Sequence, residues 1–165
     1  NITCSSFGLS KLLPRLGAPM NDFSHETTKE VDQVMGAFFF IRSNIFRKCQ
    51  GFDERFFVYY EEVDLSKRVN DLGYKSVFLA ESSAYHLGGG VSQQVKAKRL
   101  FYSLRSKSLY AKKHFSYLNY LFVCLLIYSI EFISRIVFSL LRLDFRAVFE
   151  TLSAYKMLLM SSLQR

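Results

Sequence analysis

The clearest run of apolar and polar positions lies between Glu61 and Gly73. Leu65, Val69 and Leu72 recur at i, i+4 and i+7, which predicts a helix with one apolar stripe, and Gly73 stands where a C′ residue belongs. Glu61, Glu62 and Asp64 crowd its first turn, where the positive end of the helix dipole stabilises carboxylates. Tyr74–Ala80 (YKSVFLA) then reads as a strand. Upstream, Val31–Ile41 (VDQVMGAFFFI) predicts a buried strand, with Gly36 marking a bulge or a close backbone approach. Ser43 is expected to cap a short helix, Asn44–Cys49, stopped by Gly51. Residues 1–30 mix Gly, Pro, Ser, Thr and charge and predict loop, apart from a turn of helix at Ser10–Leu13 ended by Pro14.

The second half follows a different pattern. Val91–His114 predicts a helix with seven Lys/Arg and no acid between Lys96 and Lys113. An uncharged run of 16 residues, Phe115–Ile130, comes next, then Glu131 and Arg135 four apart, then more apolar residues to Leu141. Sixteen falls short of the roughly 20 needed to span a bilayer. A span to Leu141 would enclose two charges, which is costly unless they pair. An interfacial or shallowly inserted hairpin is therefore expected, extended by an amphipathic helix at Phe145–Leu163; a buried helix of a larger enzyme is the rival.

Charge reinforces that division. Residues 1–90 hold 10 Lys/Arg and 11 Asp/Glu, whereas residues 91–165 hold 12 and 3, so the whole excess of +8 lies in the second half. Such asymmetry points to a polyanionic neighbour. The aromatic run Phe52–Tyr60 with Arg55 carries no nucleic-acid motif, and the apolar run beside the basic helix makes an anionic membrane surface the expected partner rather than nucleic acid. Cys4, Cys49 and Cys124 are odd in number and lack CxxC spacing, which argues against a disulfide framework or a zinc site. With 17 Phe and 10 Tyr, a packed core is expected.

Candidate chemistry gathers at Glu61, Glu62 and His86. A helix of about 12 residues advances roughly 18 Å, and a strand of about 6 residues returns roughly 20 Å. If the two pack antiparallel, His86 comes back near the two glutamates. Capping and dipole roles would also account for these acids, and Asp64 with Arg68 makes an i,i+4 pair. Gly88-Gly89-Gly90 lacks the spacing of a nucleotide-binding loop.

GAFFFIR at Gly36–Arg42, GFDERFFVYYEEVDLSKRVNDLGYKSVFLAESSAYH at Gly51–His86 and YSLRSKSLYAKKH at Tyr102–His114 resemble the C-terminal part of family-2 inverting glycosyltransferases, in particular rhamnosyltransferase-like members that build bacterial surface polysaccharides. The resemblance covers about residues 30–115. It implies an α/β chain forming the C-terminal half of the GT-A nucleotide-diphospho-sugar transferase fold over 1–114, followed by membrane-associated helices over 115–165. It puts the general base on Glu62, its partner on Glu61 and a metal-binding histidine at His86. The divalent ion, Mg²⁺ or Mn²⁺, would be held mostly by an Asp-x-Asp motif in an N-terminal half. This chain has no Asp-x-Asp, and no nucleotide-binding βαβ unit precedes Val31, so it reads as the acceptor-side and membrane-docking portion of an enzyme, inactive alone.

Gly36 and Ala37 would lie beside the acceptor sugar, with Asp53, Tyr60 and Asp64 also on the acceptor side, and Arg105 would meet a diphosphate. One departure stands out: the second acid is Glu62 where the family usually has Asp, and a shift near 1 Å at a reacting group costs on the order of a hundredfold in rate. The implied partners are a nucleotide-sugar donor, a saccharide or polyprenyl-linked acceptor and the cytoplasmic face of a bacterial membrane. The alternative is a non-catalytic membrane-surface binding protein.

Overall fold

The computed structural model describes residues 25–85 and 95–163, which fall into two compact units with that division. His86, the Gly88-Gly89-Gly90 loop, residues 1–24 with the turn of helix expected at Ser10–Leu13, and residues 91–94 lie outside the described residues. Secondary structure is mixed α/β, mostly helical, with one two-stranded sheet.

The first unit runs β1 (Lys29–Val31), α1 (Ser43–Lys48), α2 (Glu61–Asp71), β2 (Ser76–Phe78). β1 and β2 pair antiparallel, with Lys29 opposite Phe78 and Val31 opposite Ser76. The strand expected at Tyr74–Ala80 is thus three residues long. The buried strand expected at Val31–Ile41 does not form: pairing ends at Val31 and extends instead into residues expected to be loop. Its apolar content is spent elsewhere. Met35–Phe38 make a turn, closed by the Phe38 N–H on the Met35 carbonyl at 3.4 Å. Beyond it Phe39 and Ile41 face inward while Phe38 and Phe40 face out, Phe40 being 83% exposed. Inside–outside alternation is preserved without a neighbouring strand.

α1 begins at Ser43 itself; Arg42 is its N-cap and provides no side-chain bond, so the expected serine cap is absent. Its C-terminus closes as a Schellman motif, with Gly51 N–H on Phe46 O and Gln50 N–H on Arg47 O, both 2.9 Å. The left-handed C′ residue is Gln50 (φ 60°) rather than glycine, and Gly51 (φ 72°) follows it. α2 ends in the same way. Tyr74 N–H reaches Val69 O at 3.2 Å and Gly73 N–H reaches Asn70 O at 2.9 Å, with Gly73 at φ 82°. Leu72, expected on the apolar stripe, is the C-cap and is exposed. Leu65 and Val69 bury against Ile45 of α1 and Cys49, its C-cap, ringed by Phe39, Ile41, Phe46 and Tyr74. Each such aliphatic side chain contributes about 1.5–3 kcal/mol when fully buried. That small core is what holds the start of α2 against the Gly36 turn.

The second unit is helical. α3 (Lys96–His114) packs on α4 (Tyr117–Leu126) and on α6 (Phe145–Leu163), and α5 (Phe132–Leu141) packs on α6. A π-helical stretch, Ile127–Glu131, joins α4 to α5, so the chain is one helix from Tyr117 to Leu141. Leu104, Ala111, Val123, Ile127, Tyr155 and Leu158 form the core. Ser116 caps α4 by accepting from Asn119 N–H at 3.4 Å, and Asp144 caps α6 by accepting from Ala147 N–H at 2.9 Å.

The charges that made a long apolar helix costly are paired. Glu131, 1% exposed, accepts from Lys107 Nζ of α3 and from Arg135 Nη2, each at 2.8 Å. At the same level Tyr155 Oη donates to the Ile127 carbonyl at 2.8 Å, inside the π-helical stretch. Among the described residues, Tyr117–Leu141, 25 residues long, is the one helix long and apolar enough to cross a membrane, and only 22% of its apolar window is buried. Leu118, Phe122, Leu125, Ile133, Val137 and Leu140 form an exposed stripe along it. A core helix would cover such a stripe; this one leaves it open.

Candidate functional site

The site is built by the turn that leads into α2. Tyr59 (φ 67°) and Tyr60 (φ 69°) both adopt the left-handed region, where a bulky side chain costs roughly 1–2 kcal/mol per residue. Backbone strain of this kind gathers at binding and catalytic sites. Tyr60 is also the N-cap and offers no capping side-chain bond. The first turn therefore takes its stabilisation from the acids that follow, Glu61, Glu62 and Asp64.

These three acids divide into two roles. Asp64 is fully buried and accepts from Arg68 Nε at 2.8 Å. Arg68 in turn donates to the carbonyls of Cys49 and, at 2.9 Å, Gly51. One guanidinium thus ties α2 to the end of α1, and the Asp64 carboxylate is part of that tie.

Glu61 and Glu62 are different. The Oε2 atoms of both, together with Ser66 Oγ one turn beyond Glu62, are buried and have no hydrogen-bond partner among the described residues. A buried polar atom left unsatisfied costs about 1–3 kcal/mol, more when charged, so a site that keeps three of them is a candidate for binding an absent polar ligand. Burial raises the pKa of Glu61 above its ordinary 4.5, the neighbouring Glu62 charge adds to the rise, and its own backbone N–H opposes it.

Gly36 lies beside Glu62. A Cβ built on it would meet Glu62 Cδ at 3.5 Å and Glu62 Cβ and Cγ at 3.6 Å. Gly36 and Ala37 occupy the exposed turn beside the Glu62 side chain. Asp53 lies in the loop before α2, where it pairs with Arg55 (Nη2 to Oδ2 2.6 Å) and accepts the Arg55 N–H at 3.1 Å. Tyr60 immediately precedes the acids. Arg105 belongs to the helical unit, on α3, and His86 lies outside the described residues.

Among the described residues no three His, Cys, Asp or Glu side chains gather as a metal cage. Sequence reasoning missed the paired left-handed tyrosines, Ser66 and the reach of Arg68. Tyr-Tyr ordinarily signals strand, and nothing in the residue pattern announces its conversion to a strained turn.

The chain is 34% identical over 58 residues to N-acetylglucosaminyl-diphospho-decaprenol L-rhamnosyltransferase of Mycobacterium tuberculosis, in both the CDC 1551 / Oshkosh and the ATCC 25618 / H37Rv strains. That stretch is glycosyltransferase-like. It is 35% of this chain and spans 19% of the length of those relatives. No family model matches the chain. No solved structure matches it either.

Proposed function

We propose that the chain is the acceptor-side part of a GT-A glycosyltransferase of family 2, transferring a sugar, rhamnose by analogy with the relative, from a nucleotide-sugar to a lipid-linked saccharide at the cytoplasmic face of the membrane. The observation that carries this reading is the pair of adjacent carboxylates at the start of α2, each with a buried oxygen that has no hydrogen-bond partner among the described residues, Glu62 lying beside the Gly36 turn.

In this reading Glu62 Oε2 accepts the proton of the acceptor hydroxyl. The freed oxygen attacks the anomeric carbon, the bond to the nucleotide diphosphate breaks with its electron pair leaving on the diphosphate, and configuration inverts. Glu61 stands beside the base, its pKa raised by burial and by the neighbouring Glu62 charge. Gly36 keeps the approach to that carboxylate open, and Arg68 fixes α2 on α1 so that the carboxylates stay in place.

Membrane association is part of the proposal. The open apolar stripe of Tyr117–Leu141 and the basic helix α3 support it, as does a relative whose name includes a decaprenol-linked substrate. The test is direct transfer: the intact gene product containing these residues is incubated with labelled nucleotide-rhamnose and a polyprenyl-diphospho-saccharide in detergent. The reading requires label in the lipid-extractable product; recovery only of free sugar or unreacted donor, with other nucleotide-sugars equally inert, contradicts it. In that case the open stripe would favour a membrane-binding protein without catalysis.

A further inference from the structure

Ser66 stands one helical turn beyond Glu62 on α2 and is 2% exposed. Its hydroxyl has no hydrogen-bond partner among the described residues. A hydroxyl inside a helix can donate to the carbonyl four residues back, and this protein uses that bond elsewhere. Ser129 donates to the Leu125 carbonyl at 2.6 Å, Ser139 to that of Arg135 at 2.8 Å and Thr151 to that of Ala147 at 2.8 Å. Ser66 does not take the Glu62 carbonyl in this way. A buried hydroxyl without an acceptor is unfavourable, so this donor calls for another group. Helix geometry selects it. Residues four apart stand about 40° apart around the axis, and helical side chains lean toward the N-terminus, so Ser66 leans toward Glu62. The buried Glu62 Oε2 has no partner among the described residues either. Asp64 is held by Arg68, and Glu61 lies about 140° around the helix from Ser66.

We infer that Ser66 is a positioning residue for Glu62: its hydroxyl donates to the Glu62 carboxylate when the acceptor sugar fills the site, and so aims that carboxylate at the reacting hydroxyl. Rotation about Ser66 χ1 and the Glu62 side-chain torsions closes the bond without moving the helix. The last torsion of a glutamate is broad. The Gly36 turn flanks the Glu62 side chain from Cβ to Cδ, and the bond from Ser66 fixes the torsion beyond. A hydroxyl on a carboxylate is a charge-assisted bond, shorter and stronger than a neutral one. A carboxylate offers about four acceptor positions, so one bond from Ser66 leaves the others for the proton of the acceptor. The inference rests on the reading of Glu62 as the base.

The experiment measures sugar transfer by the intact gene product with Ser66→Ala, which removes the hydroxyl, and with Ser66→Cys, which nearly keeps the volume and offers only a weak donor. Both should lower kcat by about tenfold, the weight of one bond to a charged group, with KM within about twofold of the parent and the thermal midpoint held. In a Glu62→Gln background Ser66→Ala should change transfer by less than about twofold, because the carboxylate it aims is gone. A cysteine variant as active as the parent shows that the position needs only volume, and overturns the inference. A raised KM at unchanged kcat overturns it too, since Ser66 would then act on substrate binding. So does a tenfold loss that persists in the Glu62→Gln background, or a loss that follows a lowered midpoint in both variants, either of which makes the role structural. A parent that transfers no sugar overturns the reading of Glu62 and this inference with it; an active parent with equally active serine variants overturns this inference alone.

Discussion

Gly36 lies beside Glu62: a Cβ at that position would stand 3.5 Å from the Glu62 carboxyl carbon, in ordinary contact and without overlap. Two segments far apart in sequence meet there, the Met35–Phe38 turn and the start of α2; Phe39 and Ile41, just beyond the turn, pack on the core of Ile45, Cys49, Leu65 and Val69. The space beside the carboxylate is therefore a product of the fold, and it can be filled deliberately.

Gly36→Ala should fold normally, with stability within about 0.5 kcal/mol of the parent, because its methyl finds only van der Waals neighbours. Gly36→Val places further methyl groups toward Glu62 and should lower kcat/KM for transfer by about a hundredfold, the scale of a 1 Å misplacement. Thermal melts and transfer kinetics on the intact gene product check both. A valine variant as active as the parent would remove Gly36 from the site.

The raised pKa of Glu61 fixes the sign of a pH effect. Folded Glu61 holds its proton above the ordinary 4.5, so between that value and the raised one the native state binds more protons than the unfolded state. Stability then falls as pH rises through this window and remains lower above it. Glu61→Gln abolishes the titration. Its thermal midpoint should match the parent near pH 4 and exceed it at pH 7. A midpoint at pH 7 below the parent's would show that the carboxylate stabilises the fold.

Much of this was legible in the residues. The start of α2 at the acids, its Gly73 terminus and the Asp64–Arg68 pair follow from capping and spacing alone. The helix at Phe145–Leu163 also stands where its pattern put it. What could not be read was whatever depends on a neighbour. VDQVMGAFFFI has strand composition, yet a strand needs a partner edge, and only Val31 finds one. Gln50 and Leu143 hold left-handed positions that sequence rules assign to glycine, because the Schellman bonds around them compensate. Glu131 looked like an obstacle to a long apolar helix until Lys107, from another helix, came within 2.8 Å.

Arg68 should be the most sensitive residue of the first unit. Arg68→Ala leaves Asp64 buried without its guanidinium and the Cys49 and Gly51 carbonyls without a donor. The expected cost is about 3 kcal/mol or more, the scale for breaking a buried pair. Arg68→Lys should recover only part of it, since an ammonium cannot reach three acceptors from one planar fork. Denaturant unfolding measures both, and a loss below about 1 kcal/mol for alanine, the range of exposed pairs, would make the network ornamental.

The Lys107–Glu131 pair offers a double-mutant cycle. Lys107→Met alone removes one of the two cations on the buried Glu131 and leaves it the partly exposed Arg135, and Glu131→Leu alone removes the carboxylate 2.8 Å from the buried Lys107 Nζ. Each should destabilise the helical unit by about 3 kcal/mol, and the double variant should recover most of the loss, because an apolar pair of similar volume replaces a buried ion pair at little net cost. Additive losses would show that the two side chains act independently.

The central claim is that Glu62 takes a proton from the acceptor hydroxyl, and Glu62→Gln in the intact gene product tests it most directly. The change keeps the side chain's shape and removes its basicity. Sugar transfer should fall by about 10²–10⁴-fold, the contribution of a general base, while the thermal midpoint holds or rises because a buried, unpartnered carboxylate oxygen has become part of a neutral amide. Transfer within a factor of about three of the parent, with the fold intact, would contradict the account.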